Sequence, residues 1–138
     1  MIAPLDVTAF REALSSLEIA LAEPTEDVNP IKQQMMRDSV IQRFEYTYEL
    51  AWKTMRRALE IQHETPLDDV GRRDLFRRAF ETGLIENPSP WFGYQDARNK
   101  TAHAYDQKIA ADVFQSVRPF LEDAKKLLIA LKRNYGGS

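Results

Sequence analysis

From Ile31 to Thr65 the chain runs without a Gly or a Pro, and within that stretch Ile41, Phe44, Tyr48, Ala51, Met55 and Leu59 recur at helical spacing. Trp52 widens the stripe. Asn29-Pro30 stands just ahead of it, an N-cap followed by proline at the first helical position, where the missing N–H costs nothing, and Pro66 closes it. A single long amphipathic helix is the only regular element that fits, and its apolar stripe needs partners.

The rest of the chain offers helices. Residues 5–23 carry Phe10, Leu14, Leu17 and Leu21 as one stripe, ended by Pro24. Asp68 or Asp69 is placed to cap a third, shorter helix bearing Leu75, Phe76, Ala79 and Phe80, with Gly83 placed to terminate it. The loop Asn87-Pro88-Ser89-Pro90 predicts a fourth helix from about Trp91. A fifth, from about Asp106 to Asn134, presents Ile109, Val113, Val117, Leu121, Ala124, Leu128 and Leu131, and Pro119 should kink or split it. No segment alternates with the period of a strand. The expected fold is an all-α bundle of about five helices, with residues 1–138 forming one domain and the tail 136–138 disordered. At 138 residues and 43% hydrophobic content the chain suffices for one core and is short for two.

Composition narrows the chemistry. Without Cys there are no disulfides, thiolate zinc sites or cysteine nucleophiles, and two His leave little for an all-protein metal site, so neither a metal nor a cofactor is expected. No signal-like N-terminus and no apolar run of about 20 residues occurs, so a soluble, cytoplasmic chain with no membrane contact is expected. A net charge of −2 excludes a general basic field, and any nucleic-acid contact must be local. Two clusters could supply it, Lys53/Arg56/Arg57 and Arg72/Arg73/Arg77/Arg78; a solvated helical face is the plainer reading of both.

Residues 91–106 are unusually polar for a bundle helix flanked by aromatics. On a regular helix Asp96, Asn99 and His103 stack on one face, and Tyr94, Arg98, Ala102 and Tyr105 form the adjoining stripe. Asn99 and His103, four apart, are within hydrogen-bonding reach, so that the amide could orient the imidazole. Arg98 and His103 are five apart and hence about 140° apart around the helix, too far to converge on one group. A distorted helix end near His103 relieves this, as does a symmetric interface at which Arg98 and His103 of two chains meet. An imidazole exchanges a proton near neutral pH and a guanidinium clamps phosphate and stabilises its developing charge, which together suffice for RNA transesterification through the 2′-hydroxyl. The bland reading is a helix-capping histidine and an arginine paired with Asp96 or Asp106.

Arg98-Asn99-Lys100-Thr101-Ala102-His103-Ala104-Tyr105 resembles the Arg-x4-His-x-Tyr motif of HepT-like HEPN proteins. Arg43-Phe44-Glu45-Tyr46-Thr47-Tyr48-Glu49-Leu50-Ala51-Trp52-Lys53 looks like the second-helix signature of the nucleotidyltransferase substrate-binding branch of that superfamily. The resemblance implies a homodimeric helical bundle with a composite ribonuclease site in which Arg98 and His103 are catalytic; Asp96 and Asn99, on the face of His103, are the supporting residues by helical position. It also implies a toxin paired with an MNT-type nucleotidyltransferase antitoxin that adds AMP to Tyr105. Two other functions are compatible with the same residues: a non-catalytic subunit holding a nucleotide or substrate for the nucleotidyltransferase, and an inert dimerisation module.

On the second helix, Tyr46, Tyr48 and Trp52 could stack bases, with core packing the plainer role. Glu45 and Glu49 are read as a solvated face or as ion-pair partners of Lys53 and Arg98. His63, at the end of that helix beside Glu60 and Glu64, interacts with the helix dipole and carries no assigned chemistry.

Overall fold

A computed structural model describes residues 5–136, which are all-α. The helices are α1 (Thr8–Ala22), α2 (Pro30–His63), α3 (Arg72–Glu81), α4 (Pro88–Lys100) and α5 (Gln107–Tyr135), with a 3₁₀ turn at Thr101–His103 between the last two. The Asn29 side chain accepts the Lys32 N–H at 2.9 Å, so the sequence signal for the start of α2 is met atom for atom.

Helices α1 and α2 run antiparallel. The Thr47 hydroxyl donates to the Ala13 carbonyl at 3.2 Å while the Arg43 Nε donates to the Ser16 hydroxyl at 3.0 Å, so numbers fall on one helix as they rise on the other. Both pack on α5, and α4 lies between α3 and α5. Buried residues from all five helices form one continuous apolar cluster. At its centre Phe120 meets Phe44, Tyr94 and Trp91 edge-on, with ring centroids 5.1, 5.3 and 5.9 Å away. Tyr48 is fully buried in this cluster, whereas Tyr46 remains at the surface with its hydroxyl 3.1 Å from that of Ser16.

Three expectations change. The third helix starts at Arg72 with Gly71 as its cap, because residues 67–70 close a turn in which the Val70 N–H donates to the Leu67 carbonyl. Gly83 does end that helix, in the left-handed region at φ +85°, while the Leu84 N–H returns to the Ala79 carbonyl. The fourth helix begins at Pro88, three residues before Trp91, because Asn87 and not Ser89 supplies the cap, accepting the Ser89 N–H at 3.0 Å. Pro119 does not split α5. Val117 and Phe120 on either side are fully buried, and Pro119 and Gln115 both lie on the exposed face, so the Gln115 carbonyl deprived of its helical partner meets water. Gly136 caps α5 at φ +63°; the rest of the expected disordered tail, Gly137 and Ser138, lies outside the described residues.

Candidate active site at the end of the fourth helix

The α4 helix stops being an α-helix at Thr101. The Thr101 hydroxyl lies 2.6 Å from the Arg98 carbonyl and 2.9 Å from Glu45 Oε2, so its proton is shared between a backbone and a carboxylate acceptor. The chain tightens there into a 3₁₀ turn, and Asp106 restarts α-helix by accepting the Lys108 N–H at 2.9 Å. The helix-end distortion expected near His103 is therefore present.

Arg98 points toward α2. Its Nε donates to Glu49 Oε1 at 3.0 Å, Nη1 donates to the Thr101 hydroxyl at 3.3 Å, and Nη2 lies 3.8 Å from Glu45 Oε1. The side chain keeps 28% of its surface exposed, and its two hydrogen bonds use two of the guanidinium's five N–H groups. Of the ion-pair partners read from sequence, Glu45 and Glu49 are the ones used; Asp96 is exposed and Asp106 is committed to its cap.

His103 is exposed on the other side of the distortion, with Nδ1 at 3.4 Å from the Tyr105 hydroxyl. Tyr105 is 81% exposed. The expected Asn99–His103 pair is absent among the described residues, because an i, i+4 contact requires an unbroken α-helix and Thr101 breaks it. Asp96 and Asn99 are both exposed, and neither makes a side-chain hydrogen bond among the described residues. Within one chain, then, the side-chain contacts of Arg98 and of His103 go to separate partners.

A second ring of residues holds Arg98. Glu49 Oε2 accepts the indole N–H of Trp52 at 3.0 Å, and the Arg72 guanidinium lies 4.0 Å from the centre of the Trp52 ring. Arg72 also reaches the Tyr48 hydroxyl at 3.4 Å, and burial pushes that phenol up to about 12 despite the nearby cation. Burial likewise raises Tyr94, reinforced by its hydrogen bond to Asp123. Trp52 is thus partly core and partly a brace for Glu49, its i, i+3 neighbour on α2. No group of three or more His, Cys, Asp or Glu gathers among the described residues, and no helix there is long and apolar enough to cross a membrane.

The fold and this site place the chain in a known class. A family model described as nucleotidyltransferase substrate binding protein like matches residues 5–133, and the chain belongs to that family. It is 35% identical over 137 residues to "Probable ribonuclease HepT" of Haemophilus influenzae, covering 94% of this chain and 93% of that protein. A solved Haemophilus influenzae structure, reported as revealing the fold of a substrate binding domain of a nucleotidyltransferase, superposes with a TM-score of 0.84 at 35% identity, over 92% of this chain and 99% of the other. A Thermus thermophilus structure does so with a TM-score of 0.75 at 28% identity, over 90% and 99%. The Haemophilus influenzae relative agrees with the HepT-like resemblance, and the family model with its nucleotidyltransferase substrate-binding branch.

Proposed function

We propose that this chain is an endoribonuclease toxin of the HEPN type, held in check by an MNT-type nucleotidyltransferase that adds AMP to Tyr105. The observation that carries the reading is the break at Thr101, which leaves Arg98 fixed on the α2 carboxylates and His103 projecting into solvent. An arginine held by neighbours with open N–H groups suits a phosphate, and an exposed imidazole suits proton transfer. The relative named as a probable ribonuclease supports the same conclusion.

In the proposed reaction the 2′-hydroxyl of RNA attacks the adjacent phosphorus and loses its proton to an imidazole. The bond to the 5′-oxygen breaks, that oxygen takes a proton, and the products are a 2′,3′-cyclic phosphate and a 5′-hydroxyl. Arg98 stabilises the charge gathering on the non-bridging oxygens. A homodimer brings two copies of His103, one to accept the first proton and one to deliver the second. Because every step is proton transfer or charge stabilisation, cleavage should proceed in EDTA. Incubating purified protein with labelled RNA in EDTA and mapping the new ends tests the reading; intact RNA, or ends bearing a free 3′-hydroxyl, would reject it. The second reading, a non-catalytic subunit that binds substrate for the nucleotidyltransferase, draws on the family description and on the charge of Arg98 being already balanced by Glu45 and Glu49.

A further inference from the structure

Residues 53–57 and 72–78 carry seven of the chain's 19 Lys and Arg and one carboxylate, Asp74, in a protein whose net charge is −2. Five of the seven, Lys53, Arg56, Arg72, Arg73 and Arg77, lie over two aromatic rings, Trp52 and Phe92. Around the half-buried Trp52 ring stand Arg72 at 4.0 Å, Arg56 at 5.2 Å and Lys53 at 5.8 Å. Next to Arg72 in sequence, Arg73 lies 4.7 Å from the Phe92 ring centre, with Arg77 on the same ring at 5.4 Å. Trp52 connects back through Glu49 to Arg98 by two hydrogen bonds of 3.0 Å each. Arg73 and Arg77 are exposed, and Asp74 pairs with Arg77 at 2.9 Å and with no other cation among the described residues.

We propose that this ladder of arginines on Trp52 and Phe92 is the track for the phosphodiester backbone of single-stranded RNA leading to Arg98. An arginine laid against an aromatic ring is already extended, so less side-chain freedom is lost when its N–H groups close on a phosphate. The cations come from α2 and α3, with their aromatic supports on α2 and α4, so the track crosses three helices as an extended strand requires. A backbone reader of this kind is tolerant of sequence and sensitive to salt.

The proposal rests on the RNA-directed reading above, but its test does not need cleavage. Binding of a fluorescein-labelled, fully 2′-O-methylated oligonucleotide, which lacks the nucleophile, is followed by anisotropy from 50 to 200 mM salt. Arg73→Gln/Arg77→Gln should weaken binding roughly tenfold and flatten the log K against log salt slope by about 0.7 for each phosphate no longer neutralised. Lys32→Gln/Arg118→Gln removes the same charge elsewhere, Lys32 lying about 30 Å up α2 from Lys53 and Arg118 beside Leu21 at the end of α1, and should leave both affinity and slope near the parent. No binding by the parent, equal losses in the two pairs, or full affinity in Arg73→Gln/Arg77→Gln would overturn the track. So would a pair that keeps RNA affinity but loses an acidic protein partner, which would make the surface a protein-docking site. A parent that binds the oligonucleotide through Arg73 and Arg77 yet never cuts RNA would reject the ribonuclease and leave the track; one that cuts RNA regardless of both would do the opposite.

Discussion

The Tyr105 hydroxyl sits 3.4 Å from Nδ1 of His103, close enough that a group attached to the phenol would lie against the imidazole. An AMP ester there removes the phenol's proton and sets a negative phosphodiester beside His103 and an incoming RNA backbone. Co-expression with the cognate nucleotidyltransferase, with Mg²⁺ and ATP, should therefore add one or more AMP units at Tyr105 and abolish ribonuclease activity. Tyr105→Phe should stay toxic and escape this control. Intact-mass and peptide mass spectrometry are the readouts; a silenced protein with Tyr105 unmodified would point to simple occlusion.

Glu49 should matter to catalysis without touching substrate. It holds Arg98 Nε on one oxygen and the Trp52 N–H on the other, so its loss frees the guanidinium to wander and leaves the indole donor unpaired. Glu49→Ala should lower kcat by about 10- to 100-fold, the equivalent of one charged hydrogen bond. Glu49→Gln, whose single carbonyl oxygen can accept from one of the two donors, should recover part of it. Equal kcat in Glu49→Ala and the parent would remove Glu49 from the site.

Much of this arrangement is legible in the sequence, and the failures share a cause. The start of α2 and Gly83 as terminator follow from caps and spacing, which are local, whereas the pairing of Glu45 and Glu49 with Arg98 joins two helices and is legible only as a match of opposite charges. The four-residue spacing of Asn99 and His103 predicts that one orients the other, but that inference assumes a continuous helix. Thr101 stands where the α-helix ends, its hydroxyl held by Glu45 from a distant segment as well as by the local Arg98 carbonyl. Pro119 fails to split α5 for a similar reason: packing of Val117 and Phe120 outweighs one missing hydrogen bond. The bracing of Glu49 by Trp52 is an i, i+3 contact within α2 and so local, whereas the Arg72 guanidinium over the Trp52 ring comes from α3 and no pattern within α2 specifies it.

Stability should fall above pH 10. Tyr48 is pushed up to about 12 and Tyr94 is raised as well, mainly by burial, so over this range the unfolded chain loses phenolic protons that the folded chain keeps. The stabilisation is complete below the ordinary phenol value near 10 and is lost as pH climbs through the folded values. Thermal melts between pH 8 and 12 should show this decline, and Tyr94→Phe should make it shallower. A Tm as flat as in the neutral range up to pH 12 would contradict the burial of both hydroxyls.

Arg98 and His103 contact separate partners within one chain, and the proposed site takes a second copy to bring both to one phosphate. Analytical ultracentrifugation at micromolar concentration should give a homodimer. A monomer that remains a monomer on adding RNA would remove the composite site.

The proposal that His103 moves the proton is tested most directly by its loss. RNA cleavage by His103→Ala is measured in EDTA beside the parent, with circular dichroism to confirm that the exposed substitution leaves the helices folded. A general acid–base group is typically worth about 10²–10⁴ in rate, so cleavage should drop by that factor and toxicity should disappear. Cleavage by His103→Ala at the parent's rate would contradict the catalytic assignment and leave the substrate-binding reading in its place.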